Sequence, residues 1–198
     1  MEIVKYPHPA LRWKSKPITR IDKWLRQTVA KMLEVMYENR GIGLAANQVA
    51  LPFRLFVVNI TGDPEQKEYE WVFINPEITS RKGSEEDEEG CLSFPELFGP
   101  VRRSEQVVVE AFDLNGREFE MTLKGLAARA IQHENDHLDG VLFIDRMTEL
   151  ARRELAPRLQ DFENYFRRQQ AQGVIPSDQE IEQQLQELER QRTVEQPS

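Results

Sequence analysis

The sequence predicts an α+β domain, in which strands and helices occupy separate stretches of the chain. Segments rich in β-branched and aromatic residues are grouped between residues 53 and 123. Helical periodicity is found before and after this region. Strands grouped in this way favour antiparallel sheets, because the regular alternation of strand and helix that builds a parallel sheet is missing.

The first predicted element is an amphipathic helix from Asp22 to Arg40. Asp22 is suited to cap its first turn, and Gly41 follows its last residue. Large side chains recur within it at three- and four-residue spacing, as expected for a helix that buries one face. These side chains are Trp24, Leu25, Val29, Met32, Leu33, Met36 and Tyr37.

The middle of the chain reads as strands. Residues 53–60 and 71–78 are predicted strands, and residues 106–112 and 117–123 flank Asn115-Gly116, a strong hairpin signal. The acidic run SEEDEE at residues 84–89 is interpreted as a solvated loop.

Helical spacing returns from Lys124. Several apolar and polar side chains then share one side, which is predicted to face inward. They are Leu126, Ala127, Ala130, Ile131, Glu134 and His137.

The C-terminal part changes character after about Arg146. The sequence predicts a catalytic domain at residues 1–150, a helix at 151–170 and an acidic, Gln- and Glu-rich tail at 171–198. Ser177 and Glu180 form a capping-box pattern that opens a second helix in the tail. The tail has few apolar residues to bury, which favours a mobile or partner-dependent segment over a packed one.

Composition excludes several classes of protein. The chain has 198 residues and a net charge of -8, which argues against nucleic acid as the main partner. No apolar run approaches the length of a membrane span, and charges and prolines stand where a signal peptide would be apolar. We therefore expect a cytoplasmic protein. Cys91 is the single cysteine, so it is an apolar filler, a reactive thiol or a metal ligand.

The segment QHENDHLDG at residues 132–140 contains an H-E-x-x-H pattern. On a helix, His133 and His137 lie one turn apart on one face and can bind the same ion, while Glu134 can reach a water at that ion. The pattern is short enough to occur by chance on an exposed helix. Its predicted inward position favours a metal, because unpaired polar groups are costly to bury.

Cys91 is the candidate third ligand, since it is the one thiol of the chain. Two histidines and one cysteine leave one tetrahedral position open, which is typical of a hydrolase. A closed structural site would need a fourth ligand, for which His8 is the available histidine.

Three segments together resemble the signature motifs of the peptide deformylase family. They read GIGLAANQ at residues 41–48, EGCLS at 89–93 and QHENDHLDG at 132–140. The combination is far more specific than H-E-x-x-H alone, and the similarity covers roughly three quarters of the chain. The resemblance implies an α+β fold with antiparallel sheets around a central metal-binding helix. The predicted helical C-terminal extension follows this domain. The resemblance also implies removal of the formyl group from the N-terminal methionine of nascent chains.

The resemblance assigns roles to individual residues. It makes Cys91, His133 and His137 the metal ligands and Glu134 the general acid and base. The Gln48 side-chain amide and the Leu92 backbone N–H would donate hydrogen bonds to the formyl oxygen. Four further positions match residues that line or hydrogen-bond the peptide: Ile42, Gly43, Glu89 and Leu126.

Gly43 also has an interpretation that does not depend on the family. A peptide that adds as an edge strand needs a close approach to the backbone, which glycine permits.

The expected cofactor is one divalent metal ion. Members of the family often use Fe(II), and a thiolate with two imidazoles also accepts Zn or Ni. We therefore expect Fe(II) in the cell, with Zn or Ni as replacements.

Three residues depart from the family pattern. His8 stands where many relatives have Asp, Phe98 where many bacterial relatives have Arg, and Arg129 where some have an aliphatic residue. We expect these changes to alter details of peptide binding and to leave the reaction unchanged.

The C-terminal helix allows two interpretations. In parts of the family such a helix docks on the ribosome, and a basic face here could serve that purpose. The alternative, an amphipathic helix solvated on its outer face, is favoured by charge patterning. The basic face consists of Arg152, Arg153, Arg158, Arg167 and Arg168.

Two other functions share part of the pattern. A general zinc peptidase has H-E-x-x-H but usually takes a third His or Glu ligand, whereas the third ligand here would be Cys91. A structural metal module, with the tail as its working part, would have no open coordination position.

Overall fold

The predicted mixture of helices and antiparallel sheets is confirmed by a computed structural model that describes residues 1–193. The helices are α1 (Lys23–Glu38), α2 (Gly125–Leu138), α3 (Phe143–Arg146), α4 (Glu149–Ala171) and α5 (Asp178–Thr193). The strands are β1 (Gly43–Ala45), β2 (Leu55–Val58), β3 (Trp71–Lys82), β4 (Glu85–Cys91), β5 (Phe94–Arg103), β6 (Gln106–Phe112) and β7 (Glu118–Lys124). Short 3-10 helices span Pro9–Arg12, Ala46–Val49 and Lys67–Tyr69.

Within residues 1–193 the strands form two antiparallel sheets. One sheet has the order β1-β2-β3-β6-β7, and the other pairs β4 with β5. The predicted hairpin joins β6 to β7, and Gly116 takes a φ of 73° in its turn. That left-handed conformation is cheap for glycine. Strand β1 forms one edge of the larger sheet.

The interpretation of the acidic run as a loop is wrong. Residues 85–91 form β4, which pairs with β5 and places Glu85 opposite Arg103 and Glu86 opposite Arg102. Pairing satisfies the backbone groups, and the opposing arginines offset part of the negative charge. Residues 85–88 remain exposed, so only the solvation of their side chains was predicted correctly.

Helix α1 forms as predicted, because its capping and its apolar spacing agree. Asp22 Oδ1 accepts a hydrogen bond from Leu25 N at 3.0 Å. Leu25, Met32 and Met36 are fully buried against the larger sheet.

Helix α2 lies in the centre of the fold. Every residue from Ala127 to Leu138 is buried, and Ala128 and Ile131 share one hydrophobic cluster with Phe56 and Phe73. Leu126 is the exception, with 55% of its surface exposed. The expectation that Leu126 faces inward is therefore wrong, because it lies in the first turn, where the helix emerges at the surface.

Helix α5 is packed, contrary to the expectation for the tail. Ile181 and Leu185 are 3% and 2% exposed and form a cluster with Ala10 and Phe166. The predicted capping box is present, since Ser177 N donates to Glu180 Oε2 at 2.8 Å and Glu180 N donates to Ser177 Oγ at 3.3 Å. Two apolar residues are enough to pack α5 against the protein, because their partners belong to other elements of the chain.

Polar contacts extend this packing to the end of α5. Arg192 forms two hydrogen bonds with Asp22, at 2.9 and 3.1 Å, and its guanidinium lies 4.0 Å from the centre of the Trp24 ring. Trp13 Nε1 donates to Glu189 Oε1 at 2.6 Å. Residues 194–198 of the predicted tail lie outside the described residues.

None of the helices within residues 1–193 is both long and apolar enough to cross a membrane.

We predict that Leu185→Ala weakens the docking of α5 by about 2–4 kcal/mol, the usual cost of truncating a buried leucine. Hydrogen exchange of the α5 amides measures this loss. The exposed neighbour Gln186 provides the control, because Gln186→Ala removes no buried surface. Equal protection of α5 in both variants would contradict the packing described.

Candidate metal centre

Two elements bring the predicted metal ligands together. Helix α2 presents His133 and His137 from successive turns, and the end of β4 presents Cys91. Their ligand atoms all lie within 4.8 Å of one another. Cys91 Sγ is 3.4 Å from His137 Nε2. This thiolate-and-imidazole set suits Fe(II), Zn and Ni.

The surroundings of the three residues fit a cation. Cys91 and Glu89 both act to raise the pKa of His133 well above its ordinary value, although burial opposes them. The same negative groups favour a metal ion. Burial lowers the pKa of His137 well below its ordinary value, and the neutral imidazole is the form that binds metal. Among residues 1–193, the buried Glu134 Oε2 has no hydrogen-bond partner.

Gly43 makes room for the Glu134 carboxylate. A Cβ at position 43 would lie 2.4 Å from Glu134 Oε1. Gly43 therefore permits a close approach by the Glu134 side chain, as well as by any bound peptide. Burial raises the pKa of Glu134 to about 7, while the charge of His133 opposes that rise. A carboxyl group with such a pKa can both take up and release a proton near neutral pH.

The Gln48 amide is held in one orientation. Its Oε1 accepts a hydrogen bond from Ala45 N at 2.9 Å. Its Nε2 consequently faces the site, 3.3 Å from both Cys91 Sγ and Ser93 Oγ. Leu92 lies in the turn between β4 and β5, directly after Cys91. The structure thus brings both predicted hydrogen-bond donors beside the metal ligands.

Glu89 lies behind His133 and is 6% exposed. Its Oε2 is 3.0 Å from His133 Nδ1, so the Nδ1–H donates to the carboxylate and Nε2 is left for the metal. Arg103 donates to both oxygens of Glu89, at 2.9 and 3.0 Å, and Arg129 donates to Oε1 at 2.8 Å. Burial alone would raise the pKa of Glu89, but hydrogen bonds with His133 and Arg103 hold it well below its ordinary value.

This network includes residues that the sequence analysis missed. Asp136 pairs with Arg103 and accepts two hydrogen bonds from Arg146, at 3.0 and 2.7 Å. Asp136 lies inside the QHENDHLDG segment, which was a usable signal. Arg103 and Arg146 stand outside every motif, and only the tertiary fold brings them to α2.

An open cavity of about 540 Å³ leads to the site. Ile42, Leu92 and Leu126 contribute apolar surface, while Gln48, Cys91, His133 and Glu134 line it from the metal site. Gly43 and Glu89 also line it, so every predicted substrate residue borders this cavity. An apolar lining with a few polar groups is typical of sites that bind small ligands.

The two unusual residues near the cavity have different surroundings. Phe98 is 57% exposed, and a Cβ on Gly90 would lie 2.5 Å from its ring. Arg129 is buried and donates to Val101 O at 2.9 Å as well as to Glu89. Arg129 is therefore engaged within the protein, whereas Phe98 is free to contact a peptide at the cavity mouth.

We predict that Glu89→Gln lowers metal affinity about 10- to 100-fold, because it weakens the acceptor that fixes the His133 ring. Competition with a chelator measures the affinity, and circular dichroism checks the fold. Glu86→Gln on the same strand is the control, since Glu86 is exposed and pairs only with Arg102, at 3.6 Å. Equal metal affinity in the two variants would refute the role of Glu89.

Comparison with known proteins gives a consistent result. The family model for polypeptide deformylase matches residues 1–153. A peptide deformylase from Rhodopirellula baltica is 45% identical over 189 residues, covering 96% of this chain and 94% of the relative. One from Acidobacterium capsulatum is 48% identical over 152 residues, covering 76% of this chain and 88% of the relative.

Solved structures agree with this comparison. Arabidopsis thaliana peptide deformylase 1B has a TM-score of 0.83 at 41% identity, covering 89% of this chain and 96% of that one. A peptide deformylase from Plasmodium falciparum has a TM-score of 0.81 at 41% identity, covering 84% and 97%. The chain therefore belongs to the polypeptide deformylase family.

Proposed function

We propose that the site formed by Cys91, His133, His137 and Glu134 carries out the family reaction in this chain. Family membership makes the chain a hydrolase that removes the formyl group from nascent peptides. The observation that supports this site is the convergence of a Cys-His-His group and a buried glutamate, whose Oε2 has no hydrogen-bond partner among residues 1–193, at one cavity.

Cys91, His133 and His137 are the proposed ligands of one divalent ion. When bound, that ion would supply Lewis acidity that activates water and polarises the formyl carbonyl. We propose Fe(II) in the cell, with Zn or Ni as replacements, because one thiolate and two imidazoles accept all three ions. Glu89 fixes the orientation of His133.

Glu134 is the proposed general base and acid. Its carboxylate takes a proton from the attacking water as the water oxygen bonds to the formyl carbon. It then gives this proton to the amide nitrogen while the C–N bond breaks. Formate and a free N-terminal amine are the products. Burial raises the pKa of Glu134, which makes this carboxylate a stronger base than an exposed glutamate.

Gln48 and Leu92 are the proposed donors to the formyl oxygen. The Gln48 Nε2 and the Leu92 backbone N–H are neutral, so they stabilise developing negative charge without repelling the metal. Ile42, Gly43 and Leu126 are proposed to contact the methionyl peptide. The position of strand β1 at the edge of the larger sheet supports this, because an extended peptide can add beside an edge strand.

We predict that Glu134→Ala loses about 10²- to 10⁴-fold in turnover while keeping its metal. The assay is formate release from a formyl-Met peptide by anaerobically purified protein, with metal content measured on the same samples. Cys91→Ala is the paired variant, which should lose tightly bound metal. Near-normal kcat in Glu134→Ala would show that another group is the base.

Docking on the ribosome through α4 is a second, separate proposal. Its support is that Arg152, Arg158 and Arg168 are exposed on this helix. Arg153 and Arg167 already pair with Glu149 and Asp178, which weakens their contribution to any external partner.

The cytoplasmic location stays a prediction, and one relative, from tomato, is a chloroplastic protein.

Ribosome co-sedimentation tests this proposal. Replacing Arg152, Arg158 and Arg168 by Gln should weaken binding several-fold at low salt, because exposed charges supply most of such an interaction. Unchanged co-sedimentation would leave α4 as a helix that is solvated on its outer face.

A further inference from the structure

Three consecutive residues near the N-terminus join the two motifs that supply the proposed formyl-oxygen donors. We call Val4–Tyr6 the bridging segment. Val4 N donates to Gln48 O at 2.8 Å, and Tyr6 N donates to Ser93 O at 3.0 Å. Between them, Lys5 Nζ donates to Leu92 O at 2.7 Å. The segment therefore contacts the backbone on both sides of the metal centre.

The sheets alone do not fix the distance between these donors. Gln48 follows β1 at the edge of the larger sheet, whereas Leu92 lies in the turn of the separate β4–β5 sheet. Among the described residues, no strand of one sheet pairs with a strand of the other. Direct side-chain contacts from Gln48 to Cys91 and Ser93 are 3.3 Å long. The shorter hydrogen bonds of the bridging segment supplement them.

Helix α4 holds the bridging segment from outside. Tyr6 Oη donates to Glu163 Oε1 at 2.7 Å, and the Tyr6 ring stacks on Phe94 with centroids 4.9 Å apart. Glu163 lies beyond residues 1–153, the part matched by the family model. The C-terminal extension thus contacts the bridging segment through this hydrogen bond, and its Phe162 packs against Phe94 in the same hydrophobic cluster.

We propose that Lys5 is a positioning residue for the Leu92 N–H, and that the Tyr6–Glu163 hydrogen bond holds the segment that carries Lys5. This proposal rests on the proposed function, because it assigns Leu92 to the formyl oxygen. Donors aimed in advance at developing charge act mainly in the transition state. A less firmly positioned Leu92 N–H therefore lowers kcat, whereas loss of a direct peptide contact would raise KM.

Lys5→Met tests the first part. We expect kcat for a formyl-Met peptide to fall about 3- to 30-fold, with KM and bound metal unchanged, and Lys5→Arg to restore most of the rate. Lys14→Met is the control, since Lys5 and Lys14 are both exposed lysines of the N-terminal region, but of the two only Lys5 donates a side-chain hydrogen bond within residues 1–193. An unchanged kcat, or a rise in KM alone, would overturn the positioning role.

A measurement that does not depend on turnover distinguishes failure of the positioning role from failure of the proposed function. In zinc-loaded protein, the ¹⁵N NMR signal and hydrogen exchange of the Leu92 amide should change in Lys5→Met and remain as in wild type in Lys14→Met. A wild-type protein that releases no formate would refute the function. An unchanged Leu92 amide in Lys5→Met would refute the positioning.

The Tyr6–Glu163 hydrogen bond is tested in the same assays. Tyr6→Phe and Glu163→Ala should each lower kcat about two- to fivefold, while Glu163→Gln keeps an acceptor and most of the rate. Their effects should not add in the double variant, because each removes the same interaction. Tyr165→Phe is the control, since Tyr165 is 60% exposed on the same helix. Additive losses, or none, would contradict the link to α4.

Discussion

The buried carboxylate of Glu89 is the group on which the rest of the site depends. It accepts hydrogen bonds from His133, Arg103 and Arg129 and so joins α2 to β4 and β5. A carboxylate placed there without those partners would be strongly disfavoured by desolvation. Removal of one partner would therefore leave a buried charge uncompensated, so the network stabilises both the orientation of His133 and the packing of α2.

The sequence was a good guide wherever local pattern and burial agree. The helix that begins after Asp22, the hairpin at Asn115-Gly116 and the grouping of Cys91 with His133 and His137 all follow from spacing and residue type. In the same way, H-E-x-x-H on a helix determines which side chains share a face before any tertiary contact is known.

The sequence could not predict contacts between residues that lie far apart along the chain. Arg103 and Arg146 meet Asp136 only because β5 and α3 fold onto α2. The sequence of β4 is typical of a loop because it is rich in acidic residues. Its pairing depends on arginines of β5, which the local pattern does not reveal. Helix α5 looks too polar to pack because its apolar partners, Ala10 and Phe166, belong to other elements.

The contact between Tyr6 and Glu163 spans 157 residues of the chain. Because the bridging segment is held by α4, residues 4–6 can make this contact only after Glu163 has been synthesised. Such long-range closure is an intrinsically late step in folding. An enzyme that works on chains still being made would thus secure its own bridging segment only after its α4 has been made.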